Sequence, residues 1–309
     1  GYAPLRWDGL LERLGGSEAE RQTLLRAGLV VERQPEAGHY DRFRDRVMFP
    51  IRDARGRVIG FGGRVLDQGE PKYLNSPETE LFHKGRELYG LFEARQATRN
   101  LRRLLVVEGY MDVVRLHQAG LTYAVATLGT ATTPEQLQRI FRLVGEVVFC
   151  FDGDRAGRAA AWRALENSLP EVREGRQLRF LFLPDGHDPD SLVGEEGAEA
   201  FEARMSQALP LADYLVEELR SRAAPEGVDG RAQFVELARP LLRRIPSEVY
   251  RELLVGQLSE VVGLPAARLG ELLARGEALA SERPARRGTM QREAPVPLIG
   301  RGNLVRQAV

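Results

Sequence analysis

The chain has 309 residues, 44 Lys+Arg against 44 Asp+Glu, 43% hydrophobic residues and one cysteine; this fits two or three folded domains and excludes wholesale disorder. No apolar run approaches the ~20 residues needed to cross a bilayer, and no secretory pattern opens the sequence. The lone Cys150 excludes an internal disulfide or a zinc site built on several cysteines and suits a reducing cytoplasm, while a start at Gly1 inside amphipathic sequence suggests a piece of something longer.

Residues 1–100 read as a mixed α+β subdomain. Spans 5–14 and 19–27 have helical spacing, and 46–51 and 58–65 read as strands around a turn at 53–56. The paired Gly62 and Gly63 suit either a close approach of backbone or ligand, or a bulge. Between 41 and 65 seven arginines face three aspartates, an excess of four positive charges that suits phosphate contact or a solvated strand face. Only Lys72 and Lys84 are lysine; the other 42 basic residues are arginine. A compact ammonium differs from a planar guanidinium as a phosphate contact, which makes these two lysines candidates for that role.

Residues 101–200 change rhythm. Apolar strands at 104–107, 123–128, 147–151 and 178–183 alternate with helices at 110–119, 134–144 and 156–169, the second with Thr133 as N-cap and Pro134 at its first position. Such alternation predicts an α/β unit with a mainly parallel sheet covered on both faces. Residues 201–275 show only helical periodicity and read as a helical subdomain. Residues 276–309, rich in Ala, Arg, Gly and Pro, read as a flexible linker or tail.

Ligands of open parallel sheets gather beyond the carboxyl ends of the strands. Three acidic groups fall at those ends: Glu108 with Asp112, Asp152 with Asp154, and Asp188 with Asp190. Singly, each could be a helix cap or a turn former. Together they would repel strongly unless divalent cations neutralised them, and hard oxygen donors suit Mg²⁺ or Mn²⁺. Two such ions can clamp an in-line phosphoryl transfer.

Rival chemistries fail on particular residues. An EF-hand loop begun at Asp152 would carry Ala156 and Arg163 where it needs ligands. An aspartyl-phosphate phosphatase would want a downstream lysine, and none follows Lys84. The 60–63 glycines lack the Gly-Lys-Ser/Thr ending of a Walker loop. His39, His83, His117 and His187 show no ligand spacing, with His187 the best placed of the four.

Val107-Glu108-Gly109-Tyr110-Met111-Asp112-Val113, Phe151-Asp152-Gly153-Asp154-Arg155-Ala156-Gly157 and Asp188-Pro189-Asp190 resemble the acidic motifs of a Toprim fold. With the upstream strings at 46–51, 57–65, 72–77 and 82–90, the span from about 41 to 205 resembles the central RNA polymerase region of bacterial replicative DNA primases of the DnaG type. The resemblance implies template-directed synthesis of short RNA primers from ribonucleoside triphosphates on single-stranded DNA. It implies that Glu108, Asp152 and Asp154 ligate the metal ions, with Asp112, Asp188 and Asp190 completing the catalytic acidic set. Arg64, Lys72, Tyr73, Asn75 and Lys84 would belong to a basic cleft for template and nucleotide.

In the longer protein a replicative helicase and a single-strand-binding protein are the expected partners. The family's zinc-binding module and helicase-binding domain are both expected to be absent from this chain, with 276–309 leading towards the latter. Two alternatives stay open: a Toprim nuclease or topoisomerase, and a non-enzymatic module that binds single strands on a Toprim scaffold. Template binding is expected to be weak and steeply salt-dependent.

Overall fold

A computed structural model describes residues 1–33, 38–66, 69–129 and 131–281. The first part of the chain forms β1 (Tyr2–Ala3), α1 (Gly9–Leu14), α2 (Glu18–Arg26), β2 (Val30–Glu32), β3 (His39–Asp41), β4 (Arg46–Arg52), β5 (Val58–Arg64), β6 (Tyr73–Asn75) and α3 (Leu91–Ala97). Strands β4 and β5 pair as the expected hairpin, and β1 and β6 flank it in the order β1-β4-β5-β6. Its turn closes because the Asp53 carboxylate accepts the Arg55 and Arg57 amides at 2.9 and 3.0 Å while Gly56 takes a φ of +84°.

Helix α1 is shorter than the 5–14 span. Its local cap, Asp8, makes no capping bond; Asp41 of β3 instead accepts the Leu10 and Leu11 amides at 2.6 and 3.2 Å. The helix begins where a carboxylate distant in sequence satisfies its first amides.

The chain then alternates through β7 (Arg103–Val107), α4 (Tyr110–Gln118), β8 (Ala124–Ala126), α5 (Pro134–Phe141), β9 (Glu146–Phe151), α6 (Arg155–Ser168), β10 (Gln177–Phe182), α7 (Pro189–Ser206) and β11 (Leu209–Pro210). The sheet order is β11-β10-β9-β7-β8, parallel except for the edge strand β11. Side chains alternate between two cores. Leu104, Val106, Phe149 and Phe180 face α5 and α6, while Leu105, Val107, Cys150 and Leu181 face α4 and α7.

Four further helices follow: α8 (Leu211–Ala223), α9 (Val228–Leu242), α10 (Glu248–Val262) and α11 (Ala266–Ser281). They share the sheet's core, with the Tyr214 ring 4.7 Å from Phe180 and 5.1 Å from Phe182. Helix α7 starts well before residue 201 because Asp188 caps it and Pro189 opens it. Helix α11 continues to Ser281, so residues 276–281, expected as linker, are helical; the rest of that span lies outside the described residues.

A third cluster of Phe49, Ile51, Phe82, Tyr110 and Leu128 locks the N-terminal sheet to the parallel one. It explains Gly62, where a Cβ would lie 2.6 Å from the Tyr110 ring, so the glycine serves a close approach rather than a bulge. Among the described residues no helix is long and apolar enough to cross a membrane.

Candidate metal centre

Parallel register brings three loops to one edge of the sheet. Val106 of β7 lies opposite Phe149 of β9, and Phe151 lies opposite Phe182 of β10, so the residues that follow these strands emerge side by side. Glu108 follows β7 and Asp112 sits in the first turn of α4, accepting the Gly109 amide at 3.0 Å. Asp152 follows β9, and Asp154 caps α6 by accepting the Gly157 amide at 2.7 Å. A Cβ on Gly157 would collide with the Asp152 carbonyl, so this loop requires glycine there. Asp188 caps α7 through the Ser191 amide at 2.8 Å, and Asp190 pairs with Arg115 at 3.5 Å.

The carboxylates feel one another. Burial, then the charges of Asp152 and Asp154, raises Glu108, with Arg163 opposing. Burial raises Asp152 as well, reinforced by Asp188 and Asp154. Asp112 is pushed up to about 7 by burial and then by Asp188, with smaller contributions from Asp152 and Asp190. Burial works to raise Asp188 too, but its Ser191 hydrogen bonds prevail and hold it low, helped by the neighbouring His187. Asp152 is therefore shared between two groupings, one with Glu108 and Asp154 and one with Asp112 and Asp188.

The six side chains stand apart. Among the described residues no three Asp, Glu, His or Cys groups close into a metal-holding cage. Like-charge repulsion opposes closure, and four of the six are engaged, Asp112, Asp154 and Asp188 in caps and Asp190 in its ion pair. Glu108 and Asp152 make no hydrogen bond or ion pair with any described residue. Hard-oxygen donors set mainly among like charges, with Arg163 the opposing cation beside Glu108, fit a hydrated divalent cation, which takes few direct protein ligands. Beside Glu108 a cavity of about 300 Å³ is lined by Thr127, Gly129, Thr132 and Arg163.

The residues expected in a basic cleft fall in different surroundings. Tyr73 lies beside the acidic edge: burial raises its hydroxyl, and Arg64, Asp112, Asp188 and Asp190 all bear on it. The Arg64 guanidinium sits 5.7 Å from the Tyr73 ring centroid with its Nε buried and unpartnered, and Lys72, which precedes Tyr73, is exposed. Asn75 is tied into the fold: its amide donates to the Leu128 carbonyl at 3.1 Å and its oxygen accepts from the Tyr110 hydroxyl at 2.6 Å. Lys84 sits on a loop anchored to α5, its carbonyl accepting from Gln136 at 3.0 Å and its amide donating to Glu78 at 3.0 Å. No contact joins it to the carboxylates among the described residues.

The charge excess over 41–65 overstates the free cationic surface. Arg46 is buried and donates to the Gly63, Pro71 and Lys72 carbonyls; Arg42 donates to the Asn75 carbonyl; Arg52 pairs with Glu93 and Arg57 with Asp53. These guanidiniums satisfy backbone and carboxylates within the fold, where a count along the sequence cannot see them.

A feature absent from the sequence reading lies nearby. Trp7, 58% exposed, meets Tyr40 edge-to-face at 5.6 Å, and Arg44 lies 4.1 Å above the Trp7 ring, with Arg33 at 6.0 Å. An exposed ring flanked by guanidiniums suits stacking on unpaired bases. The short β2–β3 pairing that delivers Tyr40 has too few apolar residues to declare itself. Among the described residues the four histidines form no ligand cluster: His117 bonds the Ala124 carbonyl, His83 pairs with Glu78, His187 borders Asp188, and His39 lies in β3 opposite Glu32.

Residues 1–95 match a family model for the N-terminal domain of a DNA primase catalytic core, 102–182 match a Toprim domain, and 212–267 match the DnaB-helicase binding domain of primase. The last match overturns the expectation that a helicase-binding domain is absent; amphipathic helices α8–α10 carry no residue signature that periodicity alone distinguishes. The chain is 57% identical over 273 residues to the DNA primase of Pseudomonas aeruginosa, covering 88% of this chain and 41% of that protein. It thus spans about two fifths of the length of that curated relative. A crystal structure of a DNA primase domain from Pseudomonas aeruginosa superposes with a TM-score of 0.86 at 56% identity, covering 89% of this chain and 86% of that one. A DnaG primase catalytic domain bound to ssDNA gives 0.82 at 56%, covering 87% and 84%.

Proposed function

Because this chain belongs to the DnaG-type bacterial DNA primase family, we propose that it is the polymerising region of a primase, joining ribonucleotides into short RNA primers on single-stranded DNA for replication. One observation carries the reading: three strand ends deliver six carboxylates to a single sheet edge beside Tyr73. The family is metal-dependent, and this donor set suits Mg²⁺, with Mn²⁺ as a substitute. Glu108, Asp152 and Asp154 would hold one ion, and Asp152 with Asp112, Asp188 and Asp190 a second. Bound there, such ions neutralise phosphate charge and acidify an attacking 3′-hydroxyl.

The chain's own residues position the reactants. Lys72 and Arg64 draw phosphates towards the edge, and Tyr73 offers a face to a base. Trp7 and Tyr40, with Arg44, stack the incoming template. Asn75 holds β6 against α4 and so fixes Tyr73 relative to Asp112. Helices α8–α10, which carry the match to a helicase-binding domain, would meet the replicative helicase, in the cytoplasm. The working units are 1–100, 101–200 and 201–275, with α7 running past the second boundary to Ser206.

Labelled ribonucleotides, a single-stranded template and a Mg²⁺ titration test the reading. Expected is Mg²⁺-dependent incorporation by the wild type and none by Asp152→Asn. DNA cleavage instead would favour a nuclease, and DNA binding with no incorporation would favour a scaffold.

A further inference from the structure

Helix α6 starts at Asp154 on the acidic edge and runs away from it for 14 residues. Gly157, Ala161 and Ala164 seat it closely on the sheet, while its outward face carries exposed Arg155, Arg158 and Arg163 against the single acid Glu166. None of the three guanidiniums makes an ion pair or hydrogen bond with a described residue, whereas Arg57, Arg176 and Arg204 each pair with a carboxylate. Arg158 rests over Phe182 at 5.5 Å, and Arg222 of α8 covers Trp162 at 3.7 Å. Arg163 lines the same cavity as Glu108, so the cationic face is continuous with the acidic edge.

This face lies across the edge from the Lys72 side. Helix α6 packs on β9 and β10, whereas β6 meets the parallel sheet through Leu128, just past β8. A copied template must leave the edge as a duplex, on a side other than the one it entered. Charges at i, i+3 and i+8 on a helix extend over about 12 Å, the scale of a few consecutive backbone phosphates.

Resting on the polymerase reading above, we propose that the outward face of α6 binds the phosphate backbone of the nascent RNA–DNA hybrid as it leaves the acidic edge, through Arg155 and Arg158. Such contacts are independent of sequence and release counterions, as product handling during elongation requires.

The test is binding of a short preformed RNA–DNA hybrid to the full chain across a salt series, by fluorescence anisotropy, alongside a single strand. For Arg155→Gln/Arg158→Gln the slope of log affinity against log salt becomes shallower by about 2 for the hybrid, as two phosphate contacts are lost, and changes much less for the single strand. The Arg155→Lys/Arg158→Lys variant keeps the hybrid slope. A thermal melt of each variant accompanies the binding, because Arg158 packs on Phe182. An unchanged hybrid slope, or an equal change for both ligands, overturns the proposal. If the wild type makes no RNA at all, the polymerase reading falls, while the hybrid slope still decides this one.

Discussion

The Tyr110 hydroxyl donates a 2.6 Å hydrogen bond to the side-chain oxygen of Asn75, joining the first turn of α4 to strand β6. Asn75 also donates to the Leu128 carbonyl, and the Tyr110 ring stacks on Phe49 at 5.4 Å and meets Tyr89 at 4.7 Å. The acidic edge and strand β6, which carries Tyr73, are thus held together by a strut rather than by simple surface contact. Asn75→Ala strands the buried Leu128 carbonyl and the Tyr110 hydroxyl. It should cost about 1–3 kcal/mol in urea unfolding.

Gly62→Ala tests the same junction sterically. A methyl 2.6 Å from the Tyr110 ring forces that ring or β5 to move. Overpacking of this kind costs about 1–3 kcal/mol, so the urea midpoint should fall at unchanged m-value.

Removing charge from the edge separates activity from stability. Glu108→Gln and Asp152→Asn should lower nucleotide incorporation at least about a hundredfold while leaving the circular dichroism spectrum intact. Calorimetric titration should show weaker Mg²⁺ binding for both, because each loses an anionic oxygen donor, while the fold persists because neither side chain has a hydrogen-bond or ion-pair partner to lose.

Asp112 makes stability depend on pH in a fixed direction. Its folded pKa, pushed up to about 7, lies above the unfolded value of 3.8. The unfolded chain therefore releases this proton first, and stability declines as pH rises from about 4 to 7. In divalent-free buffer Asp112→Asn should melt higher than wild type at pH 8 and with no difference at pH 4. The asparagine oxygen can still accept the Gly109 amide, so the cap survives the change. Equal melting temperatures at pH 8 would refute a strained carboxylate.

The stacking platform is tested by Trp7→Ala, which should weaken single-stranded DNA binding by about 1–3 kcal/mol, with partial recovery in Trp7→Phe. An unchanged affinity would remove Trp7 from the template path.

Much of the parallel sheet was legible because its strands are short apolar runs punctuated by helices with strong local caps. Thr133 and Gln136 cap α5 reciprocally, as their spacing announces. The start of α1 was not legible, because its amides are satisfied by Asp41 from another element. Likewise Asn75 sits in a string rich in binding residues, yet its partners lie at Tyr110 and Leu128, far along the chain.

Sequence alone determined the alternation of strands and helices and the acidic residue after each critical strand, since periodicity and caps are local properties of the chain. Tertiary structure decided which cations remain available and which side chains meet. Arg46 is spent on backbone carbonyls, Lys84 is seated beside α5, and Trp7 finds Tyr40 and Arg44. Those outcomes depend on distances between segments remote in sequence, and distance through space is what folding adds.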